Sequence, residues 1–262
     1  MTAMGVEAGR RFDLGRVVKM TFGVIARNIG AFATLALLLV GTPSLVSGLV
    51  QLGMISRNGL TEAGLPTYDA PMILASVVAF VVTMLAGALM QAAIMKATVA
   101  DLNGAKVTPM AGLGMAAQLI LPILGLGIVM FLGFLLGWML LLVPGMIVAV
   151  MWSVAMPVLV VERRGILASL QRSRDLTRKH RWPIFGIYLA YFIAYIGLYL
   201  ALTAMGGSAE GITGYSLANT VASTIVGVLS SIVASAGVAA LYIELRSVKD
   251  GVGPENLASV FD

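Results

Sequence analysis

LLVPGMIVAVMWSVAMPVLVVERRGILASLQRSRDLTRKHRWPIFGIYL, residues 141–189, joins a membrane span, a compact basic helix and the start of another span. Between Arg163 and Arg181 lie seven Lys/Arg residues: Arg163, Arg164, Arg172, Arg174, Arg178, Lys179 and Arg181. Only Asp175 within the segment and Glu162 just before it oppose them. Upstream, no charged residue occurs from Val107 to Val161. A long hydrocarbon-compatible run that ends in the densest charge of the chain fixes which side of a membrane the segment faces.

Composition agrees. The chain is 59% hydrophobic and 11% charged, with mean hydropathy +0.98. Soluble domains carry about 25% charged residues, so a polytopic membrane protein is expected. No secretory signal peptide is expected, because the first apolar run follows a basic amphipathic segment and no small-residue cleavage site closes it. Zero cysteines exclude disulfides and thiolate chemistry, and the single histidine, His180, makes no metal cluster. The pI near 9.7 is read as positive-inside charge, not as nucleic-acid binding.

Residues 1–13 read as a disordered N-terminus. From Leu14 to Ile29 the periodicity is helical: Leu14, Val17, Val18, Thr21, Phe22, Val24, Ile25 and Ile29 share one face, and Arg16, Lys19 and Arg27 the other. A basic amphipathic helix leading into a span is expected in the membrane interface. Spans are expected near 31–53, 71–95, 115–141, 145–161, 183–204 and 217–243. Gly41-Thr42-Pro43 should kink the first, and Pro144-Gly145 should break the long apolar run into the third and fourth. The membrane domain covers 14–248, and 249–262 form a tail. Sixteen of seventeen Lys/Arg residues fall on one side of this arrangement, with Arg57 alone on the other. That places both termini in the cytoplasm.

Three stretches carry a resemblance: LLVPGMIVAVMWSVAMPVLVVE (141–162), SLQRSRDLTRKHRWPIFGIYL (169–189) and AALYIELRSVKDGVGPENLASVFD (239–262). They resemble the membrane-domain family of glycerophosphoryl diester phosphodiesterases. The resemblance implies a bundle of about six helices in a bacterial inner membrane. The family's phosphodiesterase domain is a barrel with essential His and Glu residues, and no segment here matches it. The resemblance therefore implies no hydrolase activity.

No ionisable residue falls inside the six spans as placed, which argues against proton relays and ion pathways. Gln91 and Gln118 are expected to bond between helices. A hydrolytic set of Glu162, Asp175 and His180 is disfavoured, since neighbouring arginines neutralise single acids. Gly165–Lys179 reads as a helix with Ile166, Leu170, Ser173, Leu176 and Thr177 on one face. Arg172, Arg174, Arg178 and Lys179 flank that face and are the candidate lipid-headgroup residues, their stems snorkelling to phosphate. In the last span Ser223, Gly227, Ser231, Ser235 and Ala239 form a small-residue seam for helix packing or a partner. Tyr188, Tyr191, Phe192, Tyr195 and Tyr199 stripe the fifth span. The expected function is non-enzymatic, without a cofactor: engagement of anionic membrane lipid or support of a membrane complex in envelope homeostasis. Homo-oligomers or a membrane partner through the last span are open, and nucleic acid is not expected. The alternative is a transporter or exporter of an amphiphilic substrate.

Overall fold

The computed structural model describes residues 11–61, 65–102, 114, 119–140, 142–205 and 216–251. Its helices are α1 (Leu14–Ala36), a π-helical turn (Leu37–Gly41), α2 (Thr42–Asn58), α3 (Ala70–Leu102), α4 (Ile120–Leu140), α5 (Leu142–Met151), α6 (Ala155–Glu162), α7 (Ile166–Thr177), α8 (Arg181–Met205) and α9 (Leu217–Asp250). Six stretches are long and apolar enough to cross a membrane: Leu14–Asn58, Ala70–Asp101, Ile120–Gly137, Val143–Glu162, Arg181–Ala204 and Leu217–Asp250. The chain is an all-α, multi-pass membrane bundle. Leu38, Leu74, Leu121, Met139 and Ile193 are each more than half exposed. Such an apolar outer surface suits hydrocarbon, and the helical backbone satisfies its own polar groups there.

Local chemistry explains the irregularities of the first span. Asp13 caps α1 by accepting from Gly15 N at 2.8 Å and Arg16 N at 3.4 Å. At Asn28 the backbone leaves the helical region (φ −122°, ψ 21°), close to where the amphipathic pattern ends. The Asn28 amide donates to the Val24 carbonyl (3.1 Å) and to Asp101 Oδ1 (2.9 Å), tying the kink to α3. Pro43 lacks an N–H, and the expected break appears just before it as the π-helical turn. Thr42 Oγ1 returns a donor to the Leu37 carbonyl at 3.0 Å.

Helix α9 is the centre of the bundle and packs against α1, α2, α3, α6, α7 and α8. Helix α8 is peripheral, touching α9 and α5. Phe192 and Tyr195 stand exposed on it, while Tyr191 Oη donates to the Ser230 carbonyl at 3.1 Å. The largest core cluster lies toward the charged end and joins Val17, Met95, Val154, Ile184, Tyr242 and Leu245.

Three boundaries differ from expectation. Helix α5 already begins at Leu142, so Pro144 sits in its first turn instead of at the break. Helices α3 and α9 run on to Leu102 and Asp250, past the expected ends at 95 and 243. Of the residues expected in the tails, Phe12 packs on the core, Asp13 caps α1, Lys249 and Asp250 are helical and Gly251 caps α9; residues 1–10 and 252–262 lie outside the described residues, as does Gln118.

The small-residue seam is only half used. Ser235 and Ala239 are buried, Ser231 is half-buried and Ser223 is exposed. A methyl group built on Gly227 would meet nothing within 4 Å. Within the chain, the close contact runs along a neighbouring face of α9. Helices α1 and α2, with the π-helical turn between them, lie along Thr220, Val228 and Ile232, and the glycines that permit this belong to the turn and to α2. A methyl on Gly48 would come within 2.5 Å of Thr220, and one on Gly41 within 3.1 Å of Val228. The closest backbone approach is in the α4–α5 hairpin, where a methyl on Gly137 would lie 2.9 Å from the Gly145 Cα. Gly137→Ala should therefore cost about 1–3 kcal/mol, as overpacking does, whereas Gly227→Ala should stay within about 0.5 kcal/mol of wild type. Denaturant titration in mild detergent checks both.

Candidate functional site

The charged residues at one end of the bundle fall into two sets, one paired internally and one not. Glu244 on α9 is 1% exposed. It accepts from Arg16 (Nε 3.1 Å, Nη2 3.0 Å) and from the Asp13 backbone N–H (3.2 Å), fastening the start of α1 to α9. Glu162, at the end of α6, accepts from Arg164 Nε (2.7 Å), Arg172 Nε (3.3 Å) and Tyr242 Oη (3.2 Å). Arg246 Nη1 donates in turn to Tyr242 Oη at 3.1 Å. Arg172 also pairs with Asp250, which lies 3.7 Å from Arg246 Nε. Arg27 Nη2 meets Asp101 at 2.6 Å, joining α1 to α3. Buried carboxylates persist in an apolar bundle only when paired and hydrogen-bonded in this way.

This network joins distant parts of the chain: Glu162, Arg172, Tyr242, Arg246 and Asp250. It also settles the role of Arg172. Burial lowers the tendency of its guanidinium to hold a proton, but the charges of Glu162 and Asp250 outweigh that and keep its pKa raised. Arg172 is an internal tie, not a free headgroup contact.

Helix α7 takes its position from the face that the periodicity marks. Ser169, Leu170, Ser173, Leu176 and Thr177 are all buried. What covers them is protein, since α7 packs on α4, α5, α6 and α9. Arg163 adopts a left-handed conformation (φ 48°) that ends α6 and lets the chain reverse within residues 163–165. Folding back brings Ser173 to a break in the fourth span, between α5 and α6. There Ser173 Oγ donates to the Met151 carbonyl at 2.8 Å and accepts from Val154 N at 3.3 Å. Thr177 Oγ1 reaches the same carbonyl at 3.5 Å. Non-helical backbone inside a span is tolerated where protein satisfies it, and α7 does so here.

The opposite face of α7 carries the second set. Arg174 and Arg178 are one turn apart and exposed. With Gln171, Asp175 and Arg181 they line an open depression of about 650 Å³. None of Arg174, Arg178 and Arg181 makes an ion pair among the described residues. The Arg181 Nε–H is enclosed and finds no acceptor there. Lys179 is exposed but does not line the depression. Trp182, 81% exposed, follows Arg181 where α8 begins. An exposed Trp at the start of an apolar helix marks headgroup depth.

Of the four candidate headgroup residues, then, the fold brings Arg174 and Arg178 together, leaves Lys179 beside them and withdraws Arg172. Arg181 takes its place. The signal for Arg181 was the Trp-Pro start of the next span, which sets its depth. The disfavoured hydrolytic set is dispersed: Glu162 is held by arginines, Asp175 borders the depression, and His180 stacks on Phe12 at 4.7 Å between centroids. Burial, then the charge of Lys179, pushes His180 down, against the opposing pull of Glu244. Gln91 lines a small cavity of about 180 Å³ between α3 and α4, with Met84 and Met156. Comparison of the chain with protein-family models, with curated proteins and with solved structures finds no match.

Proposed function

We propose that this is a non-enzymatic protein of the bacterial inner membrane whose charged end faces the cytoplasm and engages anionic phospholipid through Arg174, Arg178 and Arg181. The carrying observation is the division of the arginines. The fold gives Arg16, Arg27, Arg164, Arg172 and Arg246 acidic partners, whereas Arg174, Arg178 and Arg181, which have none among the described residues, line a single depression. Trp182 supports headgroup depth for that depression. The asymmetry of sixteen Lys/Arg to one supports the cytoplasmic orientation. Attraction of an anionic leaflet to such a cluster is worth about 1 kcal/mol per charge.

A transporter of amphiphiles draws less support. Its best feature would be the interrupted fourth span, since interrupted helices form transporter sites. Here Ser173 and Thr177 fill the interruption, and the exposed Phe192 and Tyr195 stand on the outside of α8.

The test is native mass spectrometry of the detergent-solubilised protein in a mixture of phosphatidylglycerol and phosphatidylcholine. Wild type is expected to retain phosphatidylglycerol preferentially. The Arg174→Gln/Arg178→Gln/Arg181→Gln variant should lose up to about 3 kcal/mol, on the order of a hundredfold in affinity for the anionic lipid. Identical lipid profiles would remove the reading.

A further inference from the structure

Lipid phosphates come in two chemical forms. A phosphodiester headgroup, as in phosphatidylglycerol, carries one negative charge on two free oxygens. A phosphomonoester, as in phosphatidic acid, has three free oxygens and carries a charge of about −1.5 to −2 at neutral pH. The two make different demands on a binding site.

The lining of the depression matches the second form. Arg174, Arg178 and Arg181 supply three positive charges and Asp175 removes one, leaving a net +2 opposite the ligand. A diester would leave one of these charges uncompensated. Guanidinium forks bind phosphate best through paired, planar N–H donors, and three forks need more acceptor positions than two oxygens present. Gln171 adds an amide donor on the same wall. On the same helix Arg172 is taken up by Glu162 and Asp250, whereas Arg174 makes no ion pair among the described residues.

Resting on the lipid reading above, we propose that the depression lined by Gln171, Arg174, Arg178 and Arg181 is a phosphomonoester site. It takes a headgroup ending in phosphate in preference to a phosphodiester headgroup.

The experiment titrates the full chain in mild detergent with short-chain phosphatidic acid, phosphatidylglycerol and phosphatidylcholine. Glycerol 3-phosphate and inorganic phosphate serve as soluble competitors, and bound lipid is counted by native mass spectrometry. The expected result is phosphatidic acid bound about fivefold more tightly than phosphatidylglycerol, one uncompensated charge being worth about that factor. In Arg174→Gln/Arg178→Gln, which changes only exposed side chains, that ratio should fall toward one. Soluble phosphomonoesters should displace the lipid only weakly. Equal, tight binding of phosphatidic acid and phosphatidylglycerol would overturn the monoester preference and leave the lipid reading standing. Binding of neither above phosphatidylcholine would overturn both. Displacement by glycerol 3-phosphate or phosphate at concentrations comparable to the lipid would keep the monoester chemistry but overturn the bilayer as its source.

Discussion

Arg16→Ala is expected to be the most damaging single change at the charged end, costing about 3–5 kcal/mol, the range for breaking a buried pair by removing one partner. The partner left behind is Glu244, whose side chain is 2% exposed while that of Arg16 is 33% exposed. The buried member is the one stranded. The asymmetry gives a second expected result. Glu244→Leu should be milder, because Arg16 can turn to solvent. Arg16→Ala/Glu244→Leu should recover much of the loss, since an apolar replacement of both partners is often near neutral. Denaturant or thermal unfolding of the four proteins in one detergent completes the cycle. Equal stability of Arg16→Ala and wild type would mean that the N-terminal part of α1 is not fastened to α9 through this pair.

Ser173→Ala should be nearly as severe, at about 2–4 kcal/mol, because each buried backbone group left without a partner costs roughly 1–3 kcal/mol. One hydroxyl serves both ends of the break in the fourth span, donating to Met151 and accepting from Val154. Thr177, at 3.5 Å from the Met151 carbonyl, compensates in part, and nothing replaces the acceptor for Val154 N among the described residues. The control is Ser223→Ala on α9. That serine is exposed and bonds only to the Thr220 carbonyl of its own helix, so its loss should stay within about 0.5 kcal/mol. Melting curves in mild detergent compare the two, and equal effects would contradict the role given to α7.

The sequence made the spans legible because bilayer thickness is written into the length of apolar runs, and Pro43 marks a real irregularity. It did not show the break at Trp152–Val154. Pro157 in the first turn of α6 lacks an N–H and crowds the carbonyl of Ser153 at the break, but the first turn is also where prolines start helices; the interruption is stabilised by Ser173, about twenty residues away in the chain. Periodicity gave the buried face of α7 correctly, but an apolar face looks the same whether lipid or protein covers it. The seam at Gly227 has no neighbour within the chain, among the described residues, for a related reason. Small residues permit close approach without requiring it, and the approach that occurs uses Gly41, Gly48 and Gly137. Arg172 and Arg174 are two positions apart and alike in composition. Only the fold, by bringing Glu162 and Asp250 to one of them, separates a tie from a free cation.

That separation is the central claim, and one paired measurement tests it most directly: melting temperature and copurified anionic lipid, recorded together for two variants. Arg172→Gln strands part of the Glu162 and Asp250 charge and should lower the melting temperature by several degrees while leaving the bound-lipid profile as in wild type. Arg174→Gln/Arg178→Gln, at exposed positions without acidic partners among the described residues, should melt as wild type does and lose anionic lipid. The opposite pattern, with lipid lost in Arg172→Gln and stability lost in Arg174→Gln/Arg178→Gln, would contradict the account.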